Sequence, residues 1–303
     1  MNDEGHQAQF IKLVHTLTGH SGSVYSISCD QHHLYSSAGD RIVTRWDLTS
    51  GAQDSFVVKL DHPSYAIHTN NDSSYIYIAC MDGTVHCVDK TIKKLIFSLN
   101  IGKHKVFCLK EVITDKSLLL INEVGSVIII NVEEKSITHN INLIHSKVRR
   151  FVIHGDEIIV ADGNGKVTFI DSTSLQINKS IQISNDALTS VYFDDLNSHI
   201  FLGTKGAHLK SINLLSHKVV FDIPAHNYVI YDLIKIGEYG ISCSRDKTIK
   251  IWNQNFTKVL QRIDNKSVGH KFSVNQLLKI DEFSFASCSD DCTIKVFRLN
   301  ESS

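Results

Sequence analysis

Ile249-Lys250-Ile251-Trp252-Asn253 places apolar residues on either side of a lysine, then an aromatic, then an amide suited to a turn. The alternation has the period of two that a strand requires. One such stretch decides little, but its form returns along the chain. It reads Val43-Thr44-Arg45-Trp46-Asp47, Val85-His86-Cys87-Val88-Asp89 and Ile128-Ile129-Ile130-Asn131. It continues as Val167-Thr168-Phe169-Ile170-Asp171, Leu209-Lys210-Ser211-Ile212-Asn213 and Ile294-Lys295-Val296-Phe297-Arg298. The large residue falls at 46, 88, 130, 170, 212, 252 and 297, in steps of 42, 42, 40, 42, 40 and 45. Seven returns at a nearly fixed period mark a repeat architecture.

Two further markers keep the same phase. His20, His62, His104, His145, His226 and His270 precede the large residue by 25 to 27 positions, and Asp186 takes that place in the fifth unit. Six residues before the large residue stand Asp40, Asp82, Asn164, Asp246 and Asp291, with Val124 and Gly206 in units three and five. Turn-forming residues there suit a tight hairpin with positive φ. Each unit reads as four short strands and no helix, and two prolines in the whole chain suit a mostly laddered backbone. A single unit cannot bury both faces of so small a sheet, so units packed side by side in a closed ring are expected.

Composition narrows the function. Among 303 residues, Lys and Arg total 31 and Asp and Glu 32, a net charge of −1. No whole-molecule field steers nucleic acid or a membrane surface, so any electrostatic preference must come from a local patch. Met1 to Gln9 is polar and has no apolar segment of a secretory signal, and runs such as Leu118–Ile121 are too short to span a bilayer. The seven cysteines form no CxxC pair and fall in or beside strands. They read as reduced, packed thiols and point to a cytoplasmic location.

The repeats resemble the WD-repeat β-propellers over essentially the whole chain. Thr18-Gly19-His20 with Trp46-Asp47, and Ala225-His226 with Trp252-Asn253, carry the likeness most clearly. The resemblance implies an all-β fold: one seven-bladed domain over 1–303 with four-stranded antiparallel blades. The blades fall at roughly 18–60, 61–99, 100–143, 144–183, 184–223, 224–263 and 264–299, and residues 9–17 supply the fourth strand of the last. It also implies a buried polar network in the blades: His20, Ser36, Asp40 and Trp46; His226, Ser242, Asp246 and Trp252; His270, Ser287 and Asp291 with Phe297. An imidazole bridged between a carboxylate and an indole N–H satisfies groups that are costly to bury alone. Val88, Ile130, Ile170 and Ile212 replace the aromatic in units two to five, so apolar packing is expected there.

No catalytic, metal or cofactor site is assigned. There is no Gly-Lys-Ser phosphate loop, nucleophile elbow or His-Glu-x-x-His. Six histidines belong to the repeat position, and His32-His33 reads as a solvated loop. Gly163-Asn164-Gly165 is a hairpin turn, and Asp194-Asp195 and Asp290-Asp291 also lie in turns. The expected role is a non-catalytic scaffold that binds a partner protein or peptide and can serve as a subunit of a larger complex. A propeller enzyme with a central-channel site is the alternative, and nucleic-acid binding ranks below it.

The family's usual binding face carries the inner-strand ends. Phase places Tyr25, Tyr65, Ile67, Met81, Phe107 and Tyr231 there, together with a basic arc of Lys105, Lys147, Arg149, Lys205 and Arg245, extended by Arg150 if that side chain turns outward. Aromatics at such a rim act as anchors. Arg149 and Arg245 could clamp a carboxylate or phosphate, so an acidic or phosphorylated segment is the expected ligand.

Overall fold

The computed structural model describes residues 10–70, 73–112 and 116–300. Twenty-eight strands form seven antiparallel four-stranded sheets. Each blade opens on an inner strand: β2 (Val24–Cys29), β6 (Ser64–His68), β10 (Val106–Val112), β14 (Val148–His154), β18 (Leu188–Asp194), β22 (Ile230–Ile236) and β26 (Val274–Lys279). Each inner strand lies against the next, and β26 returns against β2 to close the ring. The last sheet runs β1-β28-β27-β26, where β27 spans Ser284–Ser289. Here β1 (Ile11–Thr18) pairs antiparallel with β28 (Thr293–Leu299), Ile11 opposite Leu299 and Thr18 opposite Thr293. The N-terminal strand thus covers an edge that the last blade would otherwise expose; Gln9 lies outside the described residues. No helix among the described residues is long and apolar enough to cross a membrane.

The core is seven apolar seams, one between each pair of neighbouring blades. Second strands are therefore buried on both faces, and in blades two to four they read as nearly continuous apolar runs. In β11 (Ser117–Asn122), Leu118 and Leu120 pack toward blade two, while Leu119 and Ile121 pack toward blade four. The repeating large residue always fills the seam with the preceding blade: Trp46 against blade seven, Ile130 against blade two, Trp252 against blade five. Its buried place in every seam is why it keeps the period.

Two blades carry a complete polar lock, and a third carries all of it but the indole donor. His20 Nδ1 lies 2.8 Å from Asp40 Oδ2, its Nε2 lies 2.8 Å from Ser36 Oγ, and Trp46 Nε1 donates to that hydroxyl at 2.8 Å. Blade six repeats this with His226, Asp246, Ser242 and Trp252 at 2.7–3.0 Å. Blade seven keeps His270, Asp291 and Ser287, while Phe297 supplies ring area without a donor. These contacts assign a neutral imidazole that donates from Nδ1 and accepts from serine at Nε2. Burial pushes His226 and His270 below their ordinary range despite the adjacent carboxylates. For Asp246, burial works upward, but donors from His226, Asn227 and Thr248 outweigh it and hold the carboxyl well below its usual range.

The other repeat histidines depart from the expectation. His62 approaches Asp82 only to 3.9 Å with its side chain largely exposed, and His104 and His145 are exposed. Their turns are capped elsewhere. Asn122 Oδ1 accepts Val124 and Ser126 N–H at 3.2 and 2.9 Å, and Asp162 Oδ1 accepts Asn164 and Lys166 N–H at 2.8 and 3.1 Å. In blade five, Asp186 accepts the Gly206 N–H.

Candidate binding face at the channel mouth

Every inner strand has a β-bulge after its first residue. The register slips between Val24 and Ser26, Ser64 and Ala66, Val106 and Cys108, and Val148 and Arg150. It slips again between Leu188 and Ser190, Ile230 and Asp232, and Val274 and Gln276. The unpaired residues are Tyr25, Tyr65, Phe107, Arg149, Thr189, Tyr231 and Asn275. A bulge re-aims a side chain out of the ladder. Here six of the seven bulges gather their side chains around the channel mouth.

Ring contacts follow the blade order. Tyr25 and Tyr65 centroids are 4.7 Å apart, and Tyr65 and Phe107 are 5.5 Å apart. The Arg149 guanidinium carbon sits 4.8 Å from the Phe107 centroid and 4.7 Å from that of Tyr231, two blades further on. Between them, Thr189 is turned back, donating to Ile230 O at 2.6 Å. Lys105 Nζ lies 5.9 Å from the Tyr65 ring, and Lys147 Nζ 5.9 Å from Phe107. Lys147, Lys205 and Arg245 are exposed. None of these five cations forms an ion pair among the described residues. By contrast, Lys90 meets Asp30 at 3.1 Å and Lys235 meets Asp194 at 2.8 Å. Burial and neighbouring Arg150 push the Arg149 guanidinium down from its ordinary value, in keeping with a charge that lacks compensation.

Arg150 corrects the outward placement. It turns into the channel, donating to Phe107 O at 2.9 Å and Asp232 Oδ2 at 3.2 Å, and the same oxygen accepts Leu277 N–H at 3.1 Å. One ion pair thereby ties blades three, four, six and seven. Inward placement follows from the bulge, which flips alternation after Arg149. Ile67 is also corrected: it is buried in the seam between blades one and two. The loop after His62 is two residues shorter than that after His20, so offsets from the histidine misplace it. Met81 is exposed.

Below Arg150 the channel holds a cavity of about 520 Å³, lined by all seven inner strands. Above it, a pocket of about 240 Å³ is lined by Tyr25, Tyr65, Lys105, Phe107, Arg149, Arg150, Tyr231, Asn275 and Asp290. In the lower cavity, burial followed by Lys110 pushes His68 down to about 3, and burial followed by nearby acids pushes Cys29 up to about 11. Neither value is poised near neutrality, where acid–base or nucleophilic work is efficient. Among the described residues, no group of three His, Cys, Asp or Glu side chains is placed to hold a metal ion.

Three stretches match the family model of the WD domain, G-beta repeat: residues 11–47, 217–253 and 263–298. They contain the first three strands of each locked blade, and the first two also take in the preceding outer strand. Transducin beta-like protein 3 of Rattus norvegicus is 22% identical over 302 residues, covering 94% of this chain and 33% of its own length. The Bos taurus protein of that name is 24% identical over 148 residues, 47% of this chain and 18% of its own. The chain thus spans a third or less of these relatives' length. WD-repeat propellers are in general scaffolds for protein interaction. The chain is a seven-bladed β-propeller in which three repeats match the WD-repeat family model in sequence and all seven share the four-stranded blade.

Proposed function

We propose that this propeller is a non-catalytic scaffold that binds an extended segment of a partner protein across the channel mouth, and that the segment is acidic or phosphorylated. The observation that carries the reading is Arg149. Its guanidinium lies over both the Phe107 and the Tyr231 ring, it has no carboxylate partner among the described residues, and Lys147 shares the Phe107 ring while Lys105 lies over neighbouring Tyr65. A guanidinium stacked on aromatic rings keeps its N–H edge as the donor surface, and that edge pairs bidentately with a carboxylate or phosphate. Stacked aromatics add rigid contact area around it.

A site in the channel is the weaker reading, because its strongest charges, Arg150 and Asp232, already satisfy each other. A cytoplasmic location fits seven cysteines held as free thiols.

Affinity purification tests the face directly. The Tyr25→Ala/Phe107→Ala/Arg149→Ala triple variant should lose the partners that the wild-type chain retrieves while remaining folded by circular dichroism. A folded triple variant that retrieves the same partners would show that the mouth is not the binding face.

A further inference from the structure

The mouth pocket is not uniformly basic. Opposite the arc formed by Lys105, Lys147 and Arg149 lies Asp290, on blade seven, lining the same pocket. Asn275 Nδ2 donates to Asp290 Oδ1 at 2.8 Å and to Val24 O at 2.9 Å, which fixes the carboxylate against blade one. The other carboxylate oxygen has no hydrogen-bond donor among the described residues. Beside it, the Tyr25–Tyr65 pair presents aromatic surface, and Tyr25 is itself a bulge residue aimed at the mouth. Burial, Tyr65 and Asp290, in that order, push the Tyr25 hydroxyl upward, so it stays protonated and able to donate. Glu123, the other acid on this rim, has one oxygen on the Lys105 backbone N–H at 3.3 Å.

An anion alone would use half of this pocket. It would meet Arg149 and the lysines, and leave the Asp290 carboxylate near Tyr25, in a pocket that Tyr65 also lines, without a cationic partner. Such a carboxylate beside aromatic faces suits a cation, through ion pairing and through the rings' negative faces. Resting on the reading of the mouth as the binding face, we propose that the partner segment is dipolar: its acidic or phosphorylated side chain seats on Arg149, and a lysine or arginine nearby in the same segment seats on Asp290 beside Tyr25 and Tyr65. A polyanion, whether an acidic tract or a nucleic acid, lacks the second half and is disfavoured by Asp290.

The test is an array of twelve-residue peptides, each with one fixed glutamate or phosphoserine and with lysine, alanine or glutamate at each position from one to six residues on either side. The array is read with the full chain, with Asp290→Lys and with Asp290→Asn, the last keeping an acceptor for Asn275. Wild-type protein should bind the best acid-plus-lysine peptide about tenfold more tightly than its lysine-to-alanine counterpart. Asp290→Asn should erase that preference, and Asp290→Lys should invert it in favour of glutamate at the lysine position. Equal binding of lysine and alanine peptides, with affinity still lost in Arg149→Ala, would overturn the dipolar ligand and leave the acidic-segment reading standing. If no peptide binds, or if Arg149→Ala binds as wild type does, both readings fall. Preference for an oligonucleotide over every lysine-bearing peptide, with a steep salt dependence, would likewise overturn the proposal.

Discussion

At the scale of single residues, the lock in blade six shows how a buried imidazole sets both stability and its pH dependence. Replacing His226 by alanine strands Asp246 and Ser242 and should cost about 2–4 kcal/mol, a loss typical of breaking a buried polar network. The folded chain holds His226 and His270 below the value of 6.5 at which they titrate when unfolded. Below that pH the unfolded chain binds more protons, so stability present at neutrality is lost as pH falls. Asp246 and Asp291, held below 3.8 in the fold, add a second loss when pH drops through the acidic range. Urea midpoints measured between about pH 7.5 and 5 should fall with acid, and His226→Gln should flatten the slope. A midpoint that does not change over that window, or the same slope in the variant, contradicts the assignment of a neutral buried imidazole.

At the scale of elements, the hairpin between the second and third strands explains what was legible in the sequence. Turn residues at Asp40, Asp82 and Asp246 announced it correctly, but the left-handed residue is the next one along. Arg41, Gly83, Gly125, Gly165, Ala207, Lys247 and Cys292 have φ between 65° and 88°. Four of the seven are not glycine, so no glycine pattern exposes the position. At Gly83 a Cβ would lie 1.7 Å from Gly102 O, whereas Lys247 bears only the intrinsic strain of its φ. Gly83→Ala should therefore destabilise by about 2 kcal/mol or more, while Lys247→Gly should be neutral or stabilising by up to about 1 kcal/mol. Comparable urea midpoints for wild type and Gly83→Ala would contradict this account of the turn. Histidine spacing misled in blades two to four for a related reason. The distance from His62, His104 or His145 to the third strand is preserved by blade size, not by a hydrogen bond. Asn122 and Asp162, at the ends of second strands, took over the turn without altering the beat. The bulges left no signature because the bulged position accepts Tyr, Phe, Arg, Thr or Asn alike; only the structure shows why Arg149 faces out and Arg150 in.

At the scale of the molecule, the ring is held by three kinds of contact. Apolar seams join all neighbouring blades, β1 closes the last sheet, and polar struts tie further pairs of blades together. Lys90 of blade two reaches Asp30 of blade one, and Glu111 of blade three accepts from Asn70 and Tyr77 of blade two at 2.8 and 3.0 Å. Seven seams were legible because each needs one large residue per period; the struts were not, since their partners lie in different repeats. This rigid frame presents two contrasting surfaces, the crowded mouth and the outer strands. The most direct test of the mouth as the partner-binding face is site-specific photo-crosslinking in cells, with benzoyl-phenylalanine placed at Tyr65 or at Leu95, an exposed outer-strand position. The account predicts discrete partner adducts from position 65 that vanish in the Arg149→Ala background, and none from position 95. Adducts confined to position 95, or adducts from position 65 that persist without Arg149, would contradict it.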